Sequence, residues 1–486
     1  QGNTSRATRD MDALWTPVKI GKMNLKHRLA MAPMTRSRAK LDGSPGAAAA
    51  TYYAQRASLG LLISEGTQPS DDGQGYTTTP GIYTDEHVKG WKQVTDAVHK
   101  AGGHLVIQLM HAGRIGHPDN TPHHRLPVGP SAISADQPMF TPTGMQKTPV
   151  PRALTTAEVK QTVKDFAFAA KRAIEAGADG VEIHGANGYL VQQFFAPNAN
   201  QRTDEYGGSI ENRARFAIEV AQAVAAEIGA DRTAIRISPL GNSGGLDEGP
   251  EAVQLYSYLL NELDKLGLAY LHVLHTGDES MLQRIRKAWN QPLIVNRPGA
   301  TRETLSRDIK SGLADMVSVG QMALANPDLV TRLKTNAPLN SANRASYFGG
   351  TEAGIAAEVL VTRLEEAEPG LVPENPVVQQ LGEALLDRLT SSRLSSALAR
   401  RGIDEALREE RSLIGTECSD CGYKIDRGPP IPTSGGESVG AGPLRCPECG
   451  CVWPLIPPPV WLVETEEGER QLEGTGQPRS DRDEVQ

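Results

Sequence analysis

Three features of the 486-residue chain predict an α/β fold, a (β/α)8 TIM barrel, followed by a helical segment and a small zinc ribbon. Eight short apolar runs rich in β-branched residues alternate with longer amphipathic stretches over about 340 residues, a length that suits such a barrel. The runs are continuously apolar, as parallel strands covered on both faces are. No Gly-x-Gly-x-x-Gly turn follows the first run, which disfavours an open doubly wound sheet.

The strands are expected at Leu29–Met34, Leu61–Glu65, His104–Met110, Gly180–His184, Ala234–Ser238, Ala269–Leu274, Leu293–Asn296 and Met316–Gly320. Between them, Asp85–Ala101 opens with acids and stops at Gly102-Gly103, as a helix with a charged first turn should. Thr156–Ala176 carries a Val159/Val163/Phe166/Ala170/Ile174 stripe and ends before Gly177. Asn212–Ile228, Pro250–Leu266, Ser280–Trp289, Arg302–Lys310 and Pro327–Lys334 repeat the pattern. Residue 1 is Gln, so the fold reading starts at Met11. Two long connections, Ala112–Thr155 and Gly185–Glu211, leave the C-terminal ends of strands 3 and 4, where barrel enzymes build their sites. The first holds Met139, Phe140 and five prolines from Pro122 to Pro142, and reads as a semi-rigid lid.

Charge divides the chain near Gly354. Residues 355–486 hold 24 acids and 13 bases, whereas the whole chain holds 58 and 50, so the part before is close to neutral. Every one of the five cysteines also falls after that point. No apolar run approaches the ~20 residues of a membrane span, and a cytoplasmic protein without membrane contact is expected.

Chemistry-bearing residues gather at the strand ends. Strand 4 delivers His184-Gly185-Ala186-Asn187-Gly188-Tyr189. His and Asn can donate hydrogen bonds to one oxygen of a carbonyl or nitro group, and Tyr has a phenolic proton to give, which suits chemistry where charge builds beside a carbonyl. Arg236, inside strand 5, needs an anion or strong acceptor; an ion pair with Glu182 or Glu65 is the structural alternative. Gln108 lies in strand 3, and Pro33-Met34-Thr35 puts a polar residue after strand 1. Gly299 and Gly320 follow strands 7 and 8, near Gln321 and the helix start at Asn326-Pro327-Asp328. That layout matches the phosphate site of many barrels and implies a phosphorylated cofactor.

From Leu14 to Gly350 the sequence resembles the old yellow enzymes, FMN-dependent ene reductases. The resemblance rests on Met31-Ala32-Pro33-Met34-Thr35-Arg36, Ile63–Thr67, Ile107-Gln108-Leu109 with Gly113-Arg114, Val181–Tyr189, Asn200–Ser209, Ala325–Leu329 and Phe348-Gly349-Gly350. It implies FMN as cofactor and NAD(P)H as co-substrate. Pro33, Met34, Thr35, Gly66, Gln108 and Arg236 would hold the flavin ring, and Gly299, Gly320 and Gln321 its phosphate. Hydride would pass through flavin N5 to the β-carbon of an activated alkene (enone, enal or nitroalkene). His184 and Asn187 would polarise the activating group, and Tyr189 would protonate the α-carbon. Four departures stand out. Gln321 replaces the Arg of many relatives, leaving backbone amides and Arg297 for the phosphate. Pro298 removes an amide, Met110 replaces a frequent Trp, and the usual closing segment is lost after Gly354.

Residues 351–375 read as a linker. Residues 376–413 form a helical pattern with Val378, Leu381, Leu385 and Leu389 on one face. Within 414–463, Cys418-x-x-Cys421 and Cys446-x-x-Cys449 have the spacing of a structural Zn2+ ribbon, with Cys451 left over. Disulfides and a dithiol redox pair are the weaker readings. Residues 464–486 are expected to form an acidic, disordered tail, and the negative charge of this region argues against nonspecific nucleic-acid binding, with contact of the ribbon alone to RNA or a protein left open. The alternative to an enzyme is a flavin-binding scaffold with weak turnover that contacts a protein partner through the zinc-ribbon tail.

Overall fold

The computed structural model describes residues 11–46, 48–342 and 347–348. The linker, the helical segment, the four zinc-ribbon cysteines and the acidic tail all lie outside the described residues. One compact unit contains the described residues up to Ala323 together with Leu329–Pro338. Leu324–Asp328 and the described residues after Pro338 belong to a second unit, in which Asn326 Oδ1 accepts from the Asn340 backbone N–H at 2.8 Å.

Eight parallel strands close into a barrel in sequence order: Leu29–Met31, Leu61–Ile63, Leu105–Leu109, Gly180–Gly185, Thr233–Ile237, Tyr270–Leu274, Leu293–Asn296 and Met316–Val319. The last pairs with the first through Val317↔Leu29 and closes the ring. All eight expected strands are present. Several leave the ladder early at their C-terminal ends, strand 1 before Pro33, which has no N–H to donate. The interior is layered. An apolar floor unites Ala30, Leu61, Ile63, Val106, Ala234, Ile294 and Met316 with Ile20, Met23 and Leu25 of an antiparallel hairpin (Val18–Ile20 and Met23–Leu25). In the same strands, register sets Glu182 beside Gln108, His184 beside Arg236, Arg236 beside His272, and Asn296 beside Ser318. These seven polar side chains are all at most 2 % exposed.

The long helices form where periodicity placed them, and side chains set their starts. Asp85–Lys100 opens on a reciprocal cap between Thr84 and His87, and Thr156–Glu175 on one between Thr155 and Glu158. Ile210–Ile228 begins two residues before the expected Asn212, because Ser209 caps it by accepting from the Asn212 N–H. Arg302–Lys310 shortens to one turn, Arg307–Lys310; the Thr304 hydroxyl takes the Thr301 N–H and holds the preceding residues in turns. Pro327–Lys334 becomes Leu329–Thr335, with a short helix Gln321–Ala325 ahead of it. Ala49–Gln55 is a helix that no sequence signal announced: it lacks a capping side chain and is rich in alanine, yet buries Tyr52 and Tyr53.

The connection after strand 3 contains a hairpin, Pro138–Thr141 with Gly144–Lys147, and a parallel pair, Val128–Gly129 with Arg152–Ala153. Arg114 pins it. Its Nη1 donates to the Ile133 and Ser134 carbonyls at 3.2 and 3.3 Å, and its Nη2 to the Gly244 carbonyl at 3.2 Å. Met139 is buried, whereas Phe140 faces solvent. No helix among the described residues is long and apolar enough to cross a membrane.

Candidate active site

Strand 4 ends in His184-Gly185, and the chain turns through Ala186–Gly188 into a helix, Leu190–Phe195, that the sequence pattern did not reveal. Asn187 and Gly188 both adopt left-handed backbone, at φ 59° and 84°. Asn tolerates that conformation; at Gly188 a Cβ would also fall 2.4 Å from the Ser243 carbonyl oxygen. Ser238 Oγ accepts from the Asn187 N–H at 3.0 Å and Gln192 Oε1 from the Gly188 N–H at 2.7 Å, so the turn is tied to strand 5 and to its own helix.

This turn brings the three expected side chains together. The His184 and Tyr189 rings lie 5.3 Å apart. Asn187 Oδ1 accepts from Arg236 Nη1 at 2.9 Å, so toward anything else Asn187 offers chiefly its amide hydrogens. Tyr189 packs with Met110, Ala112, Ile115, Ala135 and Met139, the last four from the long connection, which therefore walls this side of the site. Its hydroxyl meets the Tyr76 hydroxyl at 2.8 Å. Burial and the nearby Arg236 bring the His184 pKa down to about 3, so its ring is neutral.

Arg236 is fully buried. It is not taken up by either carboxylate considered from sequence: its hydrogen bonds go to Asn187 Oδ1 and, at 3.2 Å, to Asn296 Oδ1. Burial lowers its pKa to about 10, with Glu182 opposing, so it remains a cation at neutral pH. Its Nε is buried without a partner. Gln108 Nε2 donates to Glu182 Oε1 at 2.8 Å and lies 3.2 Å from His184 Nδ1. Gly66 sits against Met110, whose Sδ would be 2.5 Å from a Cβ there. Pro33 and Met34 are buried and Thr35 is half-buried beyond them. Glu65, buried beside this strand end, is pushed up to about 7 by burial, with the Arg36 N–H and the charges of Arg36 and Arg38 opposing.

At the ends of strands 7 and 8 the side chains do less. Gly299 is exposed at φ 73°, with open space where a Cβ would stand; Gly320 is buried and Gln321 exposed. Arg297 is already spent on two carboxylates. Its Nε donates to Asp308 Oδ2 at 2.7 Å and its Nη2 to Glu279 Oε2 at 3.0 Å, and those bonds raise its pKa further.

A buried cation with an unsatisfied donor, beside a neutral histidine, an asparagine and a tyrosine at a barrel mouth, fits a redox-active heterocycle with carbonyl oxygens. The family model for the NADH:flavin oxidoreductase / NADH oxidase family matches residues 13–340. The chain belongs to this family. It is 42% identical over 358 residues to 12-oxophytodienoate reductase 2 of Arabidopsis thaliana, which covers 69% of this chain and 92% of that protein. It is also similar to morphinone reductase in a complex with tetrahydroNAD, at 42% identity and a TM-score of 0.68, over 70% of this chain and 96% of that one. An old yellow enzyme homologue from Zymomonas mobilis matches at 39% identity and a TM-score of 0.67, over 70% and 97%. The protein is thus an NAD(P)H-dependent FMN ene reductase of the old yellow enzyme family, on the expected eight-stranded barrel.

The residues fit FMN at its ring end, where Arg236 Nε is a buried donor in need of an acceptor such as a flavin carbonyl oxygen. At the phosphate end, with Arg297 committed elsewhere, the open backbone at Gly299 is the better match.

Sequence reasoning missed several members of the site. From sequence Glu182 stands out only as a partner for Arg236, and Tyr76, Tyr270, His272, Asn296 and Ser318 do not stand out. One available signal was the polar residues interrupting apolar strands: Glu182 and His184 two apart in strand 4, and His272 at the centre of strand 6. Residues two apart on a strand share a face. Tyr76 carried no signal, because it lies in an irregular loop.

Proposed function

We propose that this enzyme reduces the carbon–carbon double bond of an activated alkene (enone, enal or nitroalkene), with Tyr189 as the proton donor. The observation that carries the reading is the convergence of His184, Asn187 and Tyr189 above the buried Arg236. FMN, when bound, supplies to the alkene β-carbon the hydride it has taken from NAD(P)H. Pro33, Met34, Thr35, Gly66, Gln108 and Arg236 would hold its ring, and Gly299, Gly320 and Gln321 would line its phosphate end. Arg236, a buried cation, would stabilise negative charge on that ring. His184 and Asn187 donate hydrogen bonds to the carbonyl or nitro oxygen, orienting the alkene and stabilising the charge that grows there. Tyr189 gives its phenolic proton to the α-carbon, and the Tyr76 hydroxyl at 2.8 Å steadies the resulting phenolate. The wall of Ala135 and Met139 keeps water from that proton.

Purified protein tests this directly. A yellow flavin spectrum that NADPH bleaches and a cyclic enone restores is the expected result; colourless, inert protein would sink it. A second reading, a flavin-binding scaffold with weak turnover and partner contacts through the zinc-ribbon tail, is favoured by one observation, the engagement of Arg297 by Glu279 and Asp308. It requires FMN to wash out on gel filtration and turnover to stay low with excess FMN added.

A further inference from the structure

Two residues before His184 on the same strand lies a buried carboxylate, Glu182. Glu182 is completely buried and receives three donors: Gln108 Nε2 at 2.8 Å, the Tyr270 hydroxyl at 2.8 Å and His272 Nδ1 at 3.0 Å. His272 is held in that orientation from its other side, where its Nε2 meets Ser318 Oγ at 2.7 Å. Burial pushes the Glu182 carboxyl up, but His272, Arg236 and Tyr270 outweigh it and bring the pKa to about 2, so the group is ionised at neutral pH.

An ionised carboxylate only accepts hydrogen bonds. Gln108 must therefore turn its amide nitrogen toward Glu182, since its oxygen in that place would set two acceptors face to face. The second hydrogen of the same nitrogen then points to His184 Nδ1, 3.2 Å away. To accept it, Nδ1 must carry a lone pair. A neutral imidazole has one N–H, which leaves the proton on Nε2.

We propose that Glu182 is a positioning residue that, acting through the Gln108 amide, fixes His184 as the Nε2–H tautomer and so makes it a donor to the substrate oxygen. The proposal rests on the reading of His184 as a substrate-binding group. It also orients Gln108 itself: with the nitrogen committed to Glu182 and His184, the amide oxygen is the atom left to accept from an imide N–H of the flavin ring. Glu182, enclosed by Gln108, Tyr270 and His272, touches neither substrate nor cofactor. It acts by its charge and its place in the hydrogen-bond order, as outer carboxylates do when they set the tautomer of a working histidine.

The test is the 15N NMR spectrum of purified enzyme carrying labelled histidine, with His184 assigned from the signal lost in His184→Gln. Wild-type His184 is expected to be protonated at Nε2 and bare at Nδ1; a proton on Nδ1 overturns the proposal without any further variant. Glu182→Gln supplies an amide that can donate to Gln108 Oε1, which frees Gln108 to turn over and present its oxygen to His184 Nδ1. The expected result is a shift of His184 toward the Nδ1–H form. Alkene reduction should slow at least about tenfold, in line with the loss of an oxyanion donor. A His184 tautomer unmoved by Glu182→Gln overturns the role of Glu182. Should that variant not fold, Gln108→Leu removes the donor to Nδ1 and must loosen the tautomer in the same way; an unmoved signal there overturns the proposal equally. A chain that binds no flavin would sink the functional reading while leaving the tautomer measurable.

Discussion

Tyr189 lies between His184 and the Tyr76 hydroxyl, and its removal separates the two halves of the reaction. Tyr189→Phe should leave flavin reduction by NADPH within about twofold and slow enone reduction by about 10²-fold or more, the usual loss for a general acid. Stopped-flow measurement of each half-reaction decides, and equal loss in both would refute the donor role. His184, Asn187 and Tyr189 were legible in the chain because all three lie within six consecutive residues, and the turn that joins them has its own local signature in Gly185 and Gly188. The acceptor chosen by Arg236 was not legible. It depends on Asn187 and Asn296, which come from different strand ends and reach it only when the barrel has closed. Gln108 has the same history: its amide is oriented by Glu182, 74 residues further along the chain.

The connections after strands 7 and 8 carry the clearest departure from the family pattern, and they invite a gain-of-function test. Gln321 is exposed at the start of its short helix, and Arg297, the other basic candidate there, is neutralised by Glu279 and Asp308. Gln321→Arg should tighten FMN by about tenfold, the worth of one added charge-assisted hydrogen bond to phosphate. Flavin fluorescence titration of apoprotein measures it; unchanged affinity would place the phosphate elsewhere. Among elements, legibility followed periodicity. The amphipathic helices Asp85–Lys100 and Thr156–Glu175 announced themselves, whereas Ala49–Gln55 and Leu190–Phe195 did not: the first is mostly alanine before its tyrosines, and the second is buried all round, so neither has a polar face to set a period. The length and prolines of the connection after strand 3 mark it as a semi-rigid lid, and in the structure it packs against Tyr189. Its internal hairpin was not legible, because Pro142-Thr143 is a weak turn signal flanked by strands of mixed polarity.

Across the whole barrel, carboxylates whose pKa shifts on folding give stability a pH dependence of predictable sign. Burial raises Glu65 and Glu248 to about 7, the latter against hydrogen bonds from Tyr256 and the Leu240 N–H. A carboxyl raised in the folded state favours folding most below its unfolded value, about 4.3, and that contribution is lost as pH climbs through about 7. Glu158 and Asp204, lowered to about 2, act oppositely: their contribution is present above the ordinary carboxylate range and is lost in acid. Urea denaturation should therefore show stability declining from about pH 5 to pH 8 through the first pair, and falling again below about pH 4 through the second. Glu248→Gln, which keeps the shape and removes the titration, should flatten the upper slope; a slope identical to wild type would contradict the assignment.

The number and order of the strands, their parallel direction, the charge divide near Gly354 and the cluster at the end of strand 4 could all be read from the linear chain, because each is written in neighbouring residues. Hydrophobic period and turn chemistry act over a few residues, and a single sequence displays them. The partners of Arg236, the commitment of Arg297 and the network that orients Gln108 and His184 appear only in three dimensions. Each joins side chains from separate strands or helices, and the register of a closed barrel, which no local pattern encodes, decides which of them meet.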